Sequence, residues 1–397
     1  MNAKHAVAWM CLPLLATVVG LVRGAAAQES TLRFVSGQAP AAQSGGAEPG
    51  RRFRGNDRTW LGIQEGLSSS VATGDLDGDG DVDVVVGNGR HWPQRNEIFF
   101  NSGFGRFSRS VFLGDNHDAT YKVLLADLEG DGDLDILVGN ESLENAVYVN
   151  DGTGDFKLGS TYGSPRVNTR DLVAVDLNGD GRLDVIELTR TGGNPIYRNN
   201  GDGGFEQTGA VGRRRDSIAA AAAGNLNADR YADVVLVDRD RGQNIVYFGT
   251  ADGFEEPRSF GRENDETHDV AIADMDADGH PDIVSVSIGQ PNQICFGDAA
   301  GTFEESASFG KDGRSYAVAT GDLDKDGDMD VVVGNIAGRN AAYFNQGDGR
   351  SFQMLEFGPK AHTYDLSVAD LTRDGFLDVV TANSRSQNQF FVNVRGR

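Results

Sequence analysis

Nine residues starting at Asp75, DLDGDGDVD, recur six more times along the chain. The later copies are DLEGDGDLD at Asp127, DLNGDGRLD at Asp176, NLNADRYAD at Asn225, DMDADGHPD at Asp274, DLDKDGDMD at Asp322 and DLTRDGFLD at Asp370. Their starts lie 52, 49, 49, 49, 48 and 48 residues apart. So regular a period makes each interval one supersecondary unit and argues against a single non-repetitive core.

Each copy carries the same surroundings. An apolar or alternating run precedes the loop, as in YKVLLAD and HDVAIAD, and a strand-like run follows it, as in DVVVGN, DILVGN and DIVSV. An asparagine then opens another strand-like run: NEIFFN, NAVYVN, NPIYRN, NIVYFG, NQICFG, NAAYFN and NQFFVN. A glycine-rich turn leads on to a phenylalanine, as in NDGTGDF, and a last strand ends near FG or LG. Runs of this kind between turn residues read as four short strands per unit, with no long 3.6-residue periodicity to compete. Four-stranded antiparallel units in series build propellers. The expected fold is therefore all-β, a seven-bladed β-propeller of four-stranded blades over residues 51–397. The seventh copy stops after its third strand, NQFFVN, whereas RRFRGNDRTWLG (51–62) has the character of a final strand. The N-terminal strand is expected to complete the last blade and cover edges that would otherwise stand open.

Within the loop, oxygen-bearing side chains stand at positions 1, 3, 5 and 9, glycine usually at 6, and position 7 varies. Alternate side chains in a tight loop converge, and position 7 can contribute its backbone carbonyl. Several hard oxygens on a flexible loop suit calcium; magnesium asks for a stricter octahedron and zinc for Cys and His. The expected ligand sets are Asp75, Asp77, Asp79, Asp81 and Asp83 in the first loop, and Asp127, Glu129, Asp131, Asp133 and Asp135 in the second. The third offers Asp176, Asn178, Asp180, Arg182 and Asp184; the fifth offers Asp274, Asp276, Asp278, His280 and Asp282. The sixth offers Asp322, Asp324, Asp326, Asp328 and Asp330, and the seventh Asp370, Thr372, Asp374, Phe376 and Asp378. Arg182, His280 and Phe376 stand at position 7 and would act through their carbonyls. The fourth loop (225–233) has Asn225 and Asn227, and Arg230 replaces the glycine. It is expected to bind weakly or stay empty, leaving about six Ca2+ sites, with the Arg230 guanidinium near Asp229 and Asp233. An EF-hand would need a glutamate at position 12, where Val86 and Val138 stand, and flanking helices. Solvated acidic turns without metal would have to explain alternating carboxylates in copy after copy.

These loops, the β run after them and the N-x-G-x-G-x-F turns resemble FG-GAP/VCBS repeats, over roughly residues 51–397. Such repeats build the integrin α-subunit propeller and many exported bacterial proteins. The resemblance implies calcium between the first and second strands of each blade, on the lower face. It carries Asp75, Asp77, Asp79, Asp83 and their equivalents onto that face, and the fourth copy departs from the pattern. The fold transfers with the motif, but an activity does not, because propellers host binding proteins and enzymes alike.

The formal net charge is -23, which argues against a nucleic-acid partner. Roughly half of the 59 acidic residues fall inside the loops, so the rest of the chain is close to neutral. Residues 1–27 read as a secretory signal: Lys4, then the apolar CLPLLATVVGLV (11–22), then Ala25-Ala26-Ala27. The run is short for a membrane span, and no span is expected once it is cleaved; retention as an anchor is the alternative. Residues 28–50 read as a flexible spacer. Loss of Cys11 with the signal leaves Cys295, in QICFG, as a core thiol without a disulfide partner. The chain is thus expected to be periplasmic, cell-surface or secreted, with calcium as its staple.

If calcium sits below, the upper rim is made of two loop sets, those before each first strand and those between second and third strands. The first inter-strand loop, GNGRHWPQRN, is the longest and carries Arg90, His91 and Trp92. An exposed Trp beside Arg and His points to a sugar or peptide; packing of Trp92 over its blade is the alternative. Arg170, Asp171, His268, Asp269, His362 and Tyr364 stand before first strands, and Arg190, Arg239 and Arg339 between second and third. Such a rim favours anionic or polyhydroxyl ligands. Asn96, Asn145, Asn194, Asn244, Asn292, Asn340 and Asn388 read as turn residues bonded to local backbone. The leading functional expectation is a binding or adhesion module for a glycan or protein. The alternatives are a polysaccharide lyase or hydrolase, with His268, His362 or Tyr364 as base, and a pure scaffold. GxSxG, HExxH and Walker A signatures are absent.

Overall fold

The computed structural model describes residues 50–396, apart from positions 191, 215, 241, 242 and 312. The signal expected over 1–27 and all but the last residue of the spacer expected over 28–50 lie outside the described residues. The described chain is built of β-strands, with one short 3-10 turn, Asp57–Thr59. Among the described residues no helix is long and apolar enough to cross a membrane.

Strands form where the sequence alternates or runs β-branched. The strands after the loops, such as Asp135–Asn140 and Asp233–Asp238, are buried at every position. Cover on both faces is why they lack polar alternation. The outer strands Phe107–Phe112 and Lys157–Tyr162 are mostly solvated. Each unit is thus graded from buried inner strands to a wet edge.

Unit two shows the plan: Thr120–Ala126, Asp135–Asn140, Asn145–Val149 and Lys157–Tyr162 pair antiparallel in chain order. Units three, four and five repeat it as separate four-stranded sheets. Units one, six and seven run together in one nine-stranded sheet, because Asp330–Asn345, Phe352–Ala369 and Asp378–Arg395 each continue from one strand position into the next. Arg51–Arg54 pairs antiparallel with Asp378–Arg395, placing Phe53 opposite Asn393. Trp60 and Leu61 meet Gln389 and Asn388 of the same strand.

The inner strands pack in chain order. Trp60–Gly74 lies against Thr120–Ala126, followed by Thr169–Val175, Ile218–Gly224, Glu266–Ala273 and Ser315–Gly321. Phe352–Ala369 comes next and in turn packs against Trp60–Gly74. The core lies between neighbouring sheets. Val85 and Ile98 of unit one share a cluster with Leu125 and Ile136 of unit two. Val71 and Phe99 of unit one share another with Leu371 and Phe390 from the C-terminal unit.

Two asparagine devices keep step with the units. The asparagine opening each third strand accepts a backbone N–H across its turn in all seven copies, at 2.7–3.3 Å, as in Asn140 N to Asn145 Oδ1. The asparagine ending that strand donates to a carbonyl in the preceding unit's loop. Asn150 Nδ2 reaches Leu76 O (2.9 Å), Asn345 reaches Met275 O (2.7 Å) and Asn101 reaches Leu371 O (2.9 Å). Units four and five carry Gly249 and Gly297 there, because a Cβ would collide with the carbonyl oxygens of Ala232 and Pro281.

Candidate functional site

Each nine-residue loop is folded by its own carboxylates. Asp75 accepts from Gly78 N and Gly80 N (2.9 Å each), and Asp79 from Asp81 N (2.8 Å). Asp83, at position nine, is fully buried; it accepts from Leu76 N (3.0 Å) and from Asn101 N at the end of the third strand (2.7 Å). The same pair of bonds recurs at Asp135, Asp184, Asp233, Asp282, Asp330 and Asp378. Position nine therefore ties loop to strand in every unit, the fourth included, whether or not an ion is held. Burial opposes the charge there and pushes Asp83 and Asp282 up to about 7 and Asp330 to about 8.

In three loops, positions one, three and nine converge. Asp75, Asp77 and Asp83 form one set, Asp274, Asp276 and Asp282 a second, and Asp322, Asp324 and Asp330 a third. Each offers carboxylate oxygens within 4.8 Å of one another and could hold a metal ion. Asp77 Oδ1, Asp274 Oδ1 and Asp276 Oδ1 are buried without a hydrogen-bond partner. A hard cation would relieve that cost, so the residues fit the group. Positions five and seven stand outside these sets.

The other loops are held differently. In the second, with Glu129 at position three, Asp127 and Asp131 keep the turn bonds but the acids do not converge as a set. In the third, Arg198 Nη1 lies 2.6 Å from Asp184 Oδ2, and Arg182 Nη2 lies 2.5 Å from Asp180 Oδ2. In the seventh, Arg373 Nε reaches across to Asp81 Oδ1 of the first loop (2.6 Å). In the fourth, Arg230 Nη2 lies 2.6 Å from Tyr231 Oη, and Asp229 is near enough to favour its charge, whereas Asp233 does not feel it. Asp229 is already satisfied by Asn227 Nδ2 (3.1 Å) and Tyr231 N (2.7 Å).

At the opposite end of the inner strands lies a cavity of about 230 Å³. A repeated backbone irregularity shapes its lining. In all seven inner strands the register against the second strand slips six residues before the loop, at Ser69, Tyr121, Arg170, Ala219, His268, Tyr316 and Tyr364. A bulge kinks a strand and re-aims its side chains. All seven bulged residues line the cavity, and in units two, three, four, five and seven they are joined by their successors Lys122, Asp171, Ala220, Asp269 and Asp365. A repetitive scaffold thus delivers chemically different side chains to one place.

The lower wall is ionic and closely packed. Lys122 Nζ lies 3.1 Å from Asp365 Oδ2 and 3.7 Å from Asp171 Oδ1. Asp365 also accepts from Ser70 Oγ (2.7 Å) and Val71 N (3.2 Å). Asp171 accepts from Ala221 N (3.3 Å) and Asp269 from Val318 N (2.9 Å). These carboxylates of units three, five and seven each grip the inner strand of the unit that follows, unit one following seven.

Arg90 enters from the long loop of unit one, at a left-handed φ of 29°. Its guanidinium lies 3.7 Å over the Tyr364 ring and donates to Tyr316 Oη (3.2 Å), with the Tyr121 ring at 5.7 Å. Burial works against its charge, but Tyr316, Tyr364 and Tyr121 outweigh it and hold Arg90 above its ordinary value. Arg170 sits 4.2 Å from the Tyr121 ring centre, and His268 stacks at 4.5 Å on Tyr316. Burial lowers His268, keeping the imidazole neutral at physiological pH.

Six of the ligand residues expected from sequence line this cavity: Arg90, Arg170, Asp171, His268, Asp269 and Tyr364. His91, Trp92, Arg339 and His362 do not. His91 bonds Glu141 Oε2 (2.8 Å) and Tyr121 Oη (3.1 Å) just outside it. Trp92 is 68% exposed rather than folded over its sheet. Arg339 Nε donates to Gly358 O (2.9 Å), and His362 is exposed. Tyr121, Lys122, Tyr316 and Asp365 escaped the sequence reading. A signal for Tyr121 and Tyr316 existed in the column six residues ahead of each loop, which reads Ser, Tyr, Arg, Ala, His, Tyr, Tyr within otherwise similar strands.

A family model described as an FG-GAP-like repeat matches residues 75–138, 127–187, 176–236, 225–285, 274–333 and 322–381. The chain belongs to the FG-GAP-like repeat family. No curated protein matches it. Among solved structures, this FG-GAP-like chain is similar to the WD40 domain of Toxoplasma gondii coronin, with TM-score 0.58, 10% identity and 88% of each chain covered. It is also similar to BBS1N, solved in complex with ARL6DN, with TM-score 0.55, 12% identity, and 86% of this chain and 98% of that one covered. At these identities the likeness is one of fold alone. The matched segment 225–285 includes the divergent fourth loop, so the FG-GAP-like pattern survives the replacement of its glycine by Arg230.

Proposed function

We propose that this chain is an exported seven-bladed propeller that binds a glycan or a protein at the cavity, with calcium held in about six of its loops. Seven inner strands packed in sequence, the last against the first, support the blade count. Pairing of Arg51–Arg54 with the C-terminal strand supports closure by the N-terminal segment. The three convergent aspartate sets and their orphaned oxygens support calcium. The leader expected over 1–27 supports export.

One observation carries the binding reading: the bulge column. Structural repetition is strict at position nine of the loops, where the job is to hold the fold. It is relaxed at the bulges, where seven equivalent positions bear five different residue types, six of the seven residues polar or aromatic, lining one cavity. A scaffold has no use for that variety, whereas a binding site of several convergent polar and aromatic groups does. The test is a glycan array together with a pull-down, using the mature chain and its Tyr364→Ala and Arg170→Ala variants. A ligand retained by the parent and lost by either variant supports the reading; a ligand retained equally by both removes it from the cavity. The same incubations, read for new unsaturated uronates, would expose turnover.

A further inference from the structure

We infer that the cavity accepts an acidic sugar, whose carboxylate lies against Arg170 and Arg190 of unit three. This rests on the binding reading above and names the ligand class.

Five cationic side chains and four carboxylates line the cavity, but their charges do not cancel locally. Lys122 takes up Asp365 and Asp171 (3.1 and 3.7 Å). Arg239 Nε pairs with Asp240 (3.1 Å). Asp269 accepts from Val270 N and Val318 N (2.9 Å each). Every acid of the lining is therefore engaged. Among the described residues, no carboxylate lies within ion-pair distance of Arg90, Arg170 or Arg190. On a chain of net charge -23, Arg90 and Arg170 have no acid partner here and Arg190 shares the single Asp240 with Arg239, which leaves a local excess of positive charge in one concavity. Concave, low-dielectric walls concentrate such a field on an incoming anion.

The three arginines are not equivalent. Arg90 is enclosed by tyrosines and donates to Tyr316. Arg170 holds its guanidinium 4.2 Å from the Tyr121 ring centre, and among the described residues no acid pairs with it. A guanidinium is a planar fork of N–H donors that matches a carboxylate. Arg190 is exposed on the same unit and lines the same cavity. The unit that follows, unit four, contributes only Ala219 and Ala220 at the bulge, small side chains that take little of the cavity's volume.

Size and the remaining polar groups select a sugar. The volume of about 230 Å³ lies below the roughly 300–1,000 Å³ usual for drug-sized ligands, so it admits about one ring. Ser217, His268 and the tyrosine hydroxyls offer donors and acceptors to ring hydroxyls. An acidic peptide would also need a groove or a strand edge for its flanking residues.

The test is calorimetric titration of the mature chain with galacturonate, glucuronate and mannuronate trisaccharides, with their methyl esters, and with hexaglutamate. At least one free acid should bind about tenfold tighter than its ester, the loss expected for one charge-assisted contact. Its affinity should weaken as salt is added. Arg170→Gln and Arg190→Gln should each erase the preference for acid over ester while leaving the melting temperature unchanged. Equal binding of acid and ester would overturn the inference and leave glycan binding standing. Tighter binding of hexaglutamate would overturn it in favour of an acidic protein. Binding of none of these, with an array that is also blank, would remove both the inference and the glycan reading.

Discussion

Lys122 is a single side chain on which three units lean. It belongs to unit two and answers Asp171 of unit three and Asp365 of unit seven, and Asp365 in turn holds unit one. Its side chain and both partners are largely buried. An ion pair of this kind gains little over an apolar packing, but removing one partner strands the other's charge. Lys122→Met should therefore lower stability by about 3–5 kcal/mol, measured by urea unfolding. The double change Lys122→Met with Asp365→Asn should recover part of that loss. An unchanged unfolding midpoint in the single variant would refute the account. Cys295 makes the opposite case. It is fully buried, and burial pushes its thiol up to about 12. Almost no thiolate exists at pH 8, so in a chain lacking residues 1–27 a disulfide reagent such as DTNB should label Cys295 only once the protein is unfolded in urea. Rapid labelling of the native protein would contradict this packing.

Between neighbouring elements, the asparagine that ends the third strand serves two units at once. Asn345 donates to Met275 O of the unit before (2.7 Å) and Met329 O of its own (3.1 Å), and accepts from Gly347 N and Gly349 N. Asn345→Ala leaves those groups buried without partners and should cost about 1–3 kcal/mol, read as a lowered urea midpoint. Restoring the pattern at Gly249 should not help, because the new Cβ meets Ala232 O; Gly249→Asn should destabilise too. The strands, turns and loops behind this device were legible from the chain, since a period near 49 residues and the alternation inside it are properties of sequence alone. The bulges were not. A one-residue slip in register is a backbone event, and Ser69, Arg170, Ala219 and Tyr364 share no side-chain feature that announces it. Nor was it legible that Arg198 would sit on Asp184, because that contact depends on where the end of the third strand comes to lie. The structure divides the expected rim by place. Residues beside the bulges reached the cavity, while Trp92, Arg339 and His362, chosen by residue type, stayed outside it.

Across the whole molecule, the loops and the cavity occupy opposite ends of the same inner strands, so the proposed calcium is a matter of stability more than of recognition. Each ion bound only by the folded chain would add about 2.7 kcal/mol at a hundredfold excess over its Kd. Excess chelator should therefore lower the melting temperature, and calcium should restore it. The loops should contribute unequally. In the fifth, Asp274 Oδ1 and Asp276 Oδ1 are buried and unpartnered, so Asp276→Asn should shrink the gap between the calcium and chelator melts. In the fourth, Asp229 is held by Asn227 and Tyr231 and no acidic set forms, so Asp229→Asn should leave that gap unchanged. The control separates metal binding from mere loss of a loop carboxylate, because each variant removes one, in the fifth loop from a convergent set and in the fourth from outside any such set. If the two shift the chelator-sensitive gap alike, or if chelator shifts neither the parent nor the variants, the loops hold the fold through their backbone bonds alone.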